Sequence, residues 1–287
     1  LDNTLEIIDP HIHLFARELG HYHWLYPQNP PFWPDKAIID NDFNTEDLVL
    51  WEPLRHGGFV HIEAGFDNDK PWREIAWLEA TQKVNFRSVA SVDLRLCSAD
   101  FSTLIKRLVS HSSLVGVRHI LDQDAYTLLS NRQVQSNLQQ IADHGLVFEC
   151  QFDATDSPAI EQLVAVLQEL PQLALVINHA AFPALHQSNF RTWQANIAKL
   201  AAFSNLSIKA SGWEMVDREY QSADIQQIID ILLQCFSVNN IMLASNFPLC
   251  LFSNSYAKLW QSYSELQLTR AQKNALMHDN AKRIYCV

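Results

Sequence analysis

His11 and His13 close the apolar run "IIDPHIH", two positions apart. If that run is a β-strand, side chains at i and i+2 share a face. Both imidazoles then converge on one point, as two ligands of a metal must; the same pair could instead be structural, bonded to neighbouring carbonyls. His179 in "VINHA" would complete a three-histidine cluster if its strand opens onto the same place. "VHIEAG" places His61 and Glu63 two apart. Glu63 there could be a base, a ligand, a partner that orients a histidine, or half of an ion pair with an Arg.

"GVRHIL" carries Arg118 and His119. Adjacent residues on a strand face opposite ways, so one points inward, and an inward Arg could hold a carboxylate or polarise a carbonyl oxygen. Asp93 and Arg95 read as a structural pair, and Glu149 and Gln151 share a face. Lys209 suits an interior salt bridge better than a Schiff base. Late in the chain, "IMLASNFPLC" ends its apolar run at Asn246, where a hydrolytic or metal site would want a carboxylate. An amide cannot act as a general base near neutral pH and is a weaker metal ligand. Trp24, Trp33 and Trp213 would suit stacking on a sugar-like or planar ring, or plain packing.

Eight apolar runs rich in Val, Ile and Phe must position these groups: 5–13, 57–65, 86–94, 114–121, 146–152, 173–180, 206–212 and 241–248. None alternates strictly, as expected of strands buried on both faces. Helical spacing fills the gaps at 45–56, with Thr45 as N-cap, and at 100–111, 157–170, 222–236 and 269–285. Eight strand–helix units in 287 residues predict an α/β fold, a (β/α)8 TIM barrel in one domain over 1–287. The chemistry of such a barrel sits at the C-terminal ends of its strands, where all the residues above fall. The long first connection, about 16–44, holds "HYHWLYPQNPPFWP" and would cover that face.

Composition narrows the partners. A net charge of −11 without a Lys/Arg cluster argues against nucleic acid. No apolar run reaches membrane-spanning length and no basic-then-apolar leader opens the sequence. Five scattered cysteines, with no C-x-x-C, read as reduced thiols of a cytoplasmic protein. Seven glycines leave little room for a phosphate loop or dinucleotide fingerprint. A small-molecule substrate remains; oligomeric state is open.

The order of "IDPHIHLF", "VHIEAG", "GVRHIL", "INHA", "IKASGW", "ASNFPLC", "SYAKLW" and "HDNAKRIY" resembles the amidohydrolase superfamily. More narrowly it resembles the branch of metal-dependent barrel hydrolases that contains the sugar lactonases and pyrone-dicarboxylate lactonases. The resemblance runs almost end to end. It implies hydrolysis of a cyclic ester, with His11, His13 and His179 as ligands of a metal or, in metal-free members, as groups that bind the carbonyl, and Arg118 on the substrate. Where strand 8 of the family usually ends in Ser-Asp-Trp-Pro, this chain has Ser245-Asn246-Phe247-Pro248. Strand 4 lacks the Lys, and strand 5 the His, that a two-metal centre would need.

The expected function is therefore opening of a lactone of a sugar-acid-like or carboxylated ring. The expected catalytic set is His11, His13, Glu63, Arg118, His179 and Asn246, with Trp24, His61, Gln151 and Trp213 binding substrate. One divalent ion, zinc before others, would sit on His11, His13 and His179, with a metal-free route as the alternative. Glu63 would accept the water proton, with His61 or neutral His179 as substitutes, and Asn246 would orient water or substrate. Asn246 also motivates a binding or regulatory barrel that has lost turnover; a related decarboxylase is the third reading. Histidine ligation predicts a metal affinity that weakens between about pH 7 and 5.

Overall fold

The Val- and Ile-rich runs form eight strands in the computed structural model, which describes residues 4–287; residues 1–3 lie outside the described residues. The strands are β1 (Leu5–Ile12), β2 (Leu54–Ile62), β3 (Phe86–Ser91) and β4 (Leu114–Ile120), then β5 (Val147–Gln151), β6 (Leu175–Ile177), β7 (Leu206–Ala210) and β8 (Ile241–Leu243). They pair in chain order, every pair parallel. β8 returns to β1 through one parallel bridge, Ile12 to Phe247. Beside it the His13 N–H donates to the Phe247 carbonyl at 2.7 Å and the Asn246 N–H to the His11 carbonyl at 2.9 Å. Asp9 tightens this seam: its Oδ1 accepts from the N–H groups of His11 and Ser245, both at 3.1 Å. With helices around the outside, this is the expected (β/α)8 barrel.

Two apolar layers hold it. Ile8, Val60, Ile62, Val89, Val147, Val176 and Met242 form one buried cluster with Ala281, Tyr285 and Val287 of the C-terminal segment, which plugs the barrel from below. A larger cluster packs the strands against the surrounding helices. The helix Ser157–Glu169 shows the local logic. Asp156 accepts from the Ala159 N–H at 3.0 Å, and Pro158 stands in the first turn, where a missing N–H costs nothing.

The helix expected over 45–56 does not form. Asn44, not Thr45, is the cap, accepting from the Glu46 N–H at 2.7 Å, and only the single turn Thr45–Asp47 follows. Pro53 lacks the donor a helix needs and disfavours helical backbone at Glu52, so the chain enters β2 instead. The first connection is irregular but anchored. Phe15 and Phe43 pair across its ends, and the buried Lys36 ammonium donates to the carbonyls of Trp24, Tyr26 and Asn29 at 2.8, 3.2 and 2.8 Å.

β1 slips register against β2 between Asp9 and Ile12. Ile8 faces the barrel interior. Strict alternation would turn His11, three residues on, outward; the irregularity re-aims the strand so that both histidines face the mouth.

Candidate active site

The C-terminal ends of the strands open into a cavity of about 1020 Å³ whose lining includes His13, Glu63, Arg118, His179 and Asn246, with Trp24 and Trp33 of the first connection as walls. Its base is the histidine cluster. The His11 ring lies 5.0 Å from that of His13 and 4.7 Å from that of His179, centroid to centroid. The sequence-expected trio therefore meets in one place.

Each ring is tethered on its Nδ1 side. His13 Nδ1 lies 2.8 Å from the Ile62 carbonyl and 3.2 Å from that of Glu63, so it carries the proton and leaves the Nε2 lone pair free. His179 Nδ1 lies 3.1 Å from Ser211 Oγ. His11 Nδ1 lies 3.4 Å from the Lys209 ammonium, and its Nε2 is buried without any partner. Burial holds all three rings well below the ordinary histidine value of 6.5, reinforced by Lys209 at His11 and by Arg118 at His13 and His179.

His179 is presented by strained backbone. From His179 through Phe182 four consecutive non-glycine residues hold φ of 53, 48, 53 and 57°. Left-handed backbone costs an L-residue about 1–2 kcal/mol, and such strain gathers where a function needs the geometry. Gly212 allows the ring in: a Cβ there would stand 2.5 Å from His179 Nδ1.

Arg118 and Glu63 face each other at the mouth. Arg118 Nε and Nη2 both reach Glu63 Oε1, at 2.8 and 2.7 Å, and Nη2 also donates to the Glu63 carbonyl at 2.9 Å. Burial pushes the Glu63 carboxyl up, and the guanidinium opposes it. Below the mouth, Lys209 pairs with Glu149 at 2.7 Å, the interior salt bridge its sequence position suggested; Glu149 also accepts from Tyr285 and Asn178. Asp93 and Arg95 pair at 2.9 Å on the exposed rim.

Gln151 and Trp24 line the cavity. His61 and Trp213 do not, and both expectations of substrate contact are corrected. Val60 and Ile62 take the inward face of β2, so His61 points outward, where Nε2 meets Glu74 Oε1 at 2.9 Å and Nδ1 accepts from the Leu14 N–H at 3.2 Å. Glu63 escapes that alternation because β2 ends at Ile62. Trp213 is buried, its indole N–H donating to the Tyr263 hydroxyl at 2.7 Å.

One group had no sequence signal. Glu214, in the one-turn helix Trp213–Val216 after β7, accepts from Asn246 Nδ2 at 2.6 Å. Burial raises its carboxyl to about 7. A lone Glu after a Gly-Trp pair announces nothing, and the contact with Asn246 spans 32 residues.

In kind, three neutral imidazoles, one with an orphaned Nε2, suit a borderline divalent ion such as zinc. In arrangement they do not close: among the described residues, no three His, Cys, Asp or Glu side chains form a group that could hold a metal ion.

Buried histidines, an Arg–carboxylate clasp and a deep cavity thus gather at the C-terminal mouth of a parallel barrel, where such barrels carry their chemistry. Residues 8–287 match the model of the amidohydrolase family Amidohydro_2, and the chain belongs to that family. It is 26% identical to the uncharacterized protein y4mH of Sinorhizobium fredii, over 99% of this chain and 100% of that one. It is 24% identical to an L-fucono-1,5-lactonase of Burkholderia ambifaria, over 80% and 79%. Its fold matches an amidohydrolase of Burkholderia multivorans crystallised with bound zinc, with a TM-score of 0.81, 21% identity and coverage of 99% and 100%. The chain is thus a hydrolase-type enzyme of that family. No helix among the described residues is long and apolar enough to cross a membrane.

Proposed function

We propose that the protein hydrolyses a lactone of a sugar-acid-like or carboxylated ring. The observation that carries this is the meeting of His11, His13 and His179 beneath the Arg118–Glu63 clasp, in a cavity walled by Trp24 and Trp33. The volume, about 1020 Å³, accommodates a ring with polar substituents. The indoles offer faces for it, and Gln151 and the rim pair Asp93–Arg95 offer hydrogen bonds.

His11, His13 and His179 would hold one divalent ion, with zinc the first choice, only by closing together from their present arrangement. When bound, such an ion polarises a carbonyl and makes water a stronger acid. The chain's own groups do the rest. Arg118 Nη1, which the clasp leaves unused, reaches a substrate oxygen. Asn246 Oδ1, buried without a partner at the cavity, accepts a hydrogen bond from the attacking water. Glu63 Oε2, also outside the clasp, takes the water's proton. The new C–O bond forms as the ring C–O bond breaks, and the proton passes from Glu63 to the leaving oxygen. A carboxyl raised by burial is a better base near neutral pH than a free one.

A metal-free version is favoured by one specific contact. An ammonium donating to His11 Nδ1 leaves that ring's proton on Nε2, an unpartnered donor suited to a carbonyl oxygen. Acid release from a panel of aldonolactones and pyrone carboxylates, with added zinc and after chelation, tests both. Opening of a lactone only with metal selects the first version, and chelator-resistant turnover selects the second. If no lactone opens at any pH, with or without zinc, the lactonase reading is wrong.

A further inference from the structure

Position 246 carries an amide where hydrolytic chemistry would favour a carboxylate, and the reason lies behind it. Glu214 is 1% exposed and Asn246 is 1% exposed. Asn246 Nδ2 donates to Glu214 Oε1 at 2.6 Å. The nearby guanidinium makes no direct bond to this carboxylate: Arg218 binds the Glu214 backbone carbonyl and pairs with Asp35 at 2.8 Å, acting on the carboxylate only through its charge. The far oxygens of the pair, Glu214 Oε2 and Asn246 Oδ1, are both buried without a hydrogen-bond partner. Asn246 lines the cavity and Glu214 does not.

We propose that Glu214 is a positioning residue for Asn246: its carboxylate fixes the amide with Nδ2 turned away from the cavity and Oδ1 presented to it. Position 246 therefore selects a hydrogen-bond donor, water or a substrate hydroxyl, and rejects a bare acceptor. An amide can face a ligand with either end; once ionised, above about pH 7, the Glu214 carboxylate allows only the donor end on its own side. The pairing also explains the amide. An Asp at 246 would set two carboxylates at hydrogen-bonding distance with both side chains almost fully buried, where both cannot stay ionised. One carboxylate serves the pair, and here it stands at 214. Backbone agrees with the choice, since Asn246 holds φ of 58°, a conformation Asn tolerates well. This inference deepens the lactonase reading, and its kinetic arm rests on it.

The test is a swap: Asn246→Asp, Glu214→Gln, and the two together. Asn246→Asp alone is expected to lower kcat by about 10- to 100-fold with a smaller change in KM, the usual scale for a lost orienting partner. The double variant restores a donor at 214 facing an acceptor at 246, and recovers most of that loss. A purely structural role would not give recovery of kcat on exchanging the two groups. Unfolding midpoints at pH 8 provide the arm that needs no substrate: Asn246→Asp falls, and the double variant returns toward wild type. If wild type opens no lactone, the lactonase reading fails while the unfolding arm still reads the pair. The proposal is overturned if Asn246→Asp is as active and stable as wild type. It is equally overturned if the double variant is no better than Asn246→Asp, including the case in which neither folds.

Discussion

Arg118 and Glu63 are joined three ways across the barrel mouth, twice at Oε1 and once at the Glu63 carbonyl. Their side chains are only 5% and 9% exposed, so water screens the pair little. The pair links β4 to the end of β2 and leaves Nη1 and Oε2 for chemistry.

Arg118→Ala should therefore damage both stability and catalysis. Removing one partner of a buried ion pair strands the other, at a cost of about 3–5 kcal/mol. Urea unfolding measures this directly. Glu63→Gln separates the roles: it keeps a hydrogen-bonding group for Arg118 but cannot accept the water proton. Its kcat on an opened lactone should fall by about 10²–10⁴, with a stability loss smaller than that of Arg118→Ala. A Glu63→Gln enzyme with wild-type kcat would remove Glu63 from proton transfer.

The Glu214 carboxyl makes stability depend on pH in a direction that can be worked out. Its folded value, about 7, lies above its ordinary value of 4.5. The folded state then binds more protons than the unfolded state between those values, so the stability this group contributes is complete below 4.5 and lost as pH rises through about 7. The span corresponds to about 3 kcal/mol. Glu214→Gln has no such titration. The stability of wild type relative to this variant should decline by that amount between pH 4.5 and 8, in paired denaturant titrations. A flat difference would mean that the carboxyl is not buried in solution.

The histidine cluster changes the expectation for metal binding. Free histidines would compete for protons between about pH 7 and 5, weakening a metal over that range. Here burial and the cations Lys209 and Arg118 hold all three rings well below the ordinary 6.5, so they stay neutral at the upper end of that range. Zinc titrations should show one-to-one binding whose affinity is nearly level from pH 7 to 6.5 and drops only further down. His13→Ala and His179→Ala should each weaken it by orders of magnitude. Failure to bind zinc in dialysis at micromolar metal would leave the direct, metal-free version.

How much of this was legible follows from what each residue depends on. The barrel was readable because eight Val- and Ile-rich runs buried on both faces allow few other topologies. His11 and His13 were readable as a pair because strand period is two, although it takes the irregularity at Asp9–Ile12 to aim them inward. His61 was misread because a strand apolar on both faces does not declare which face is the interior, and Val60 and Ile62 hold it. The segment after Thr45 was misread because Asn44 and Pro53 outweigh its apolar spacing. Glu214 was invisible because its role is a single contact, through a one-turn helix, with a residue from another strand.

Lys209 and Glu149 supply the last prediction, which concerns the floor under the site. Both side chains are fully buried, the ion pair spans 2.7 Å, and Tyr285 and Asn178 also donate to Glu149. Burial lowers Lys209 from 10.5 to about 8, against the pull of Glu149. Lys209→Met should cost about 3–5 kcal/mol, since it leaves Glu149 uncompensated in an apolar interior. Lys209→Met with Glu149→Leu removes both charges but strands the Tyr285 hydroxyl and the Asn178 amide, so it should regain only part of that stability. Activity should not follow. The double variant fills the floor with apolar atoms but leaves His11 Nδ1 without the ammonium 3.4 Å away, freeing the ring to change tautomer. Stability regained with kcat still depressed would mark Lys209 as holding the His11 proton in place, whereas recovery of both would confine it to the fold. Urea unfolding and lactone turnover on the same preparations decide between them.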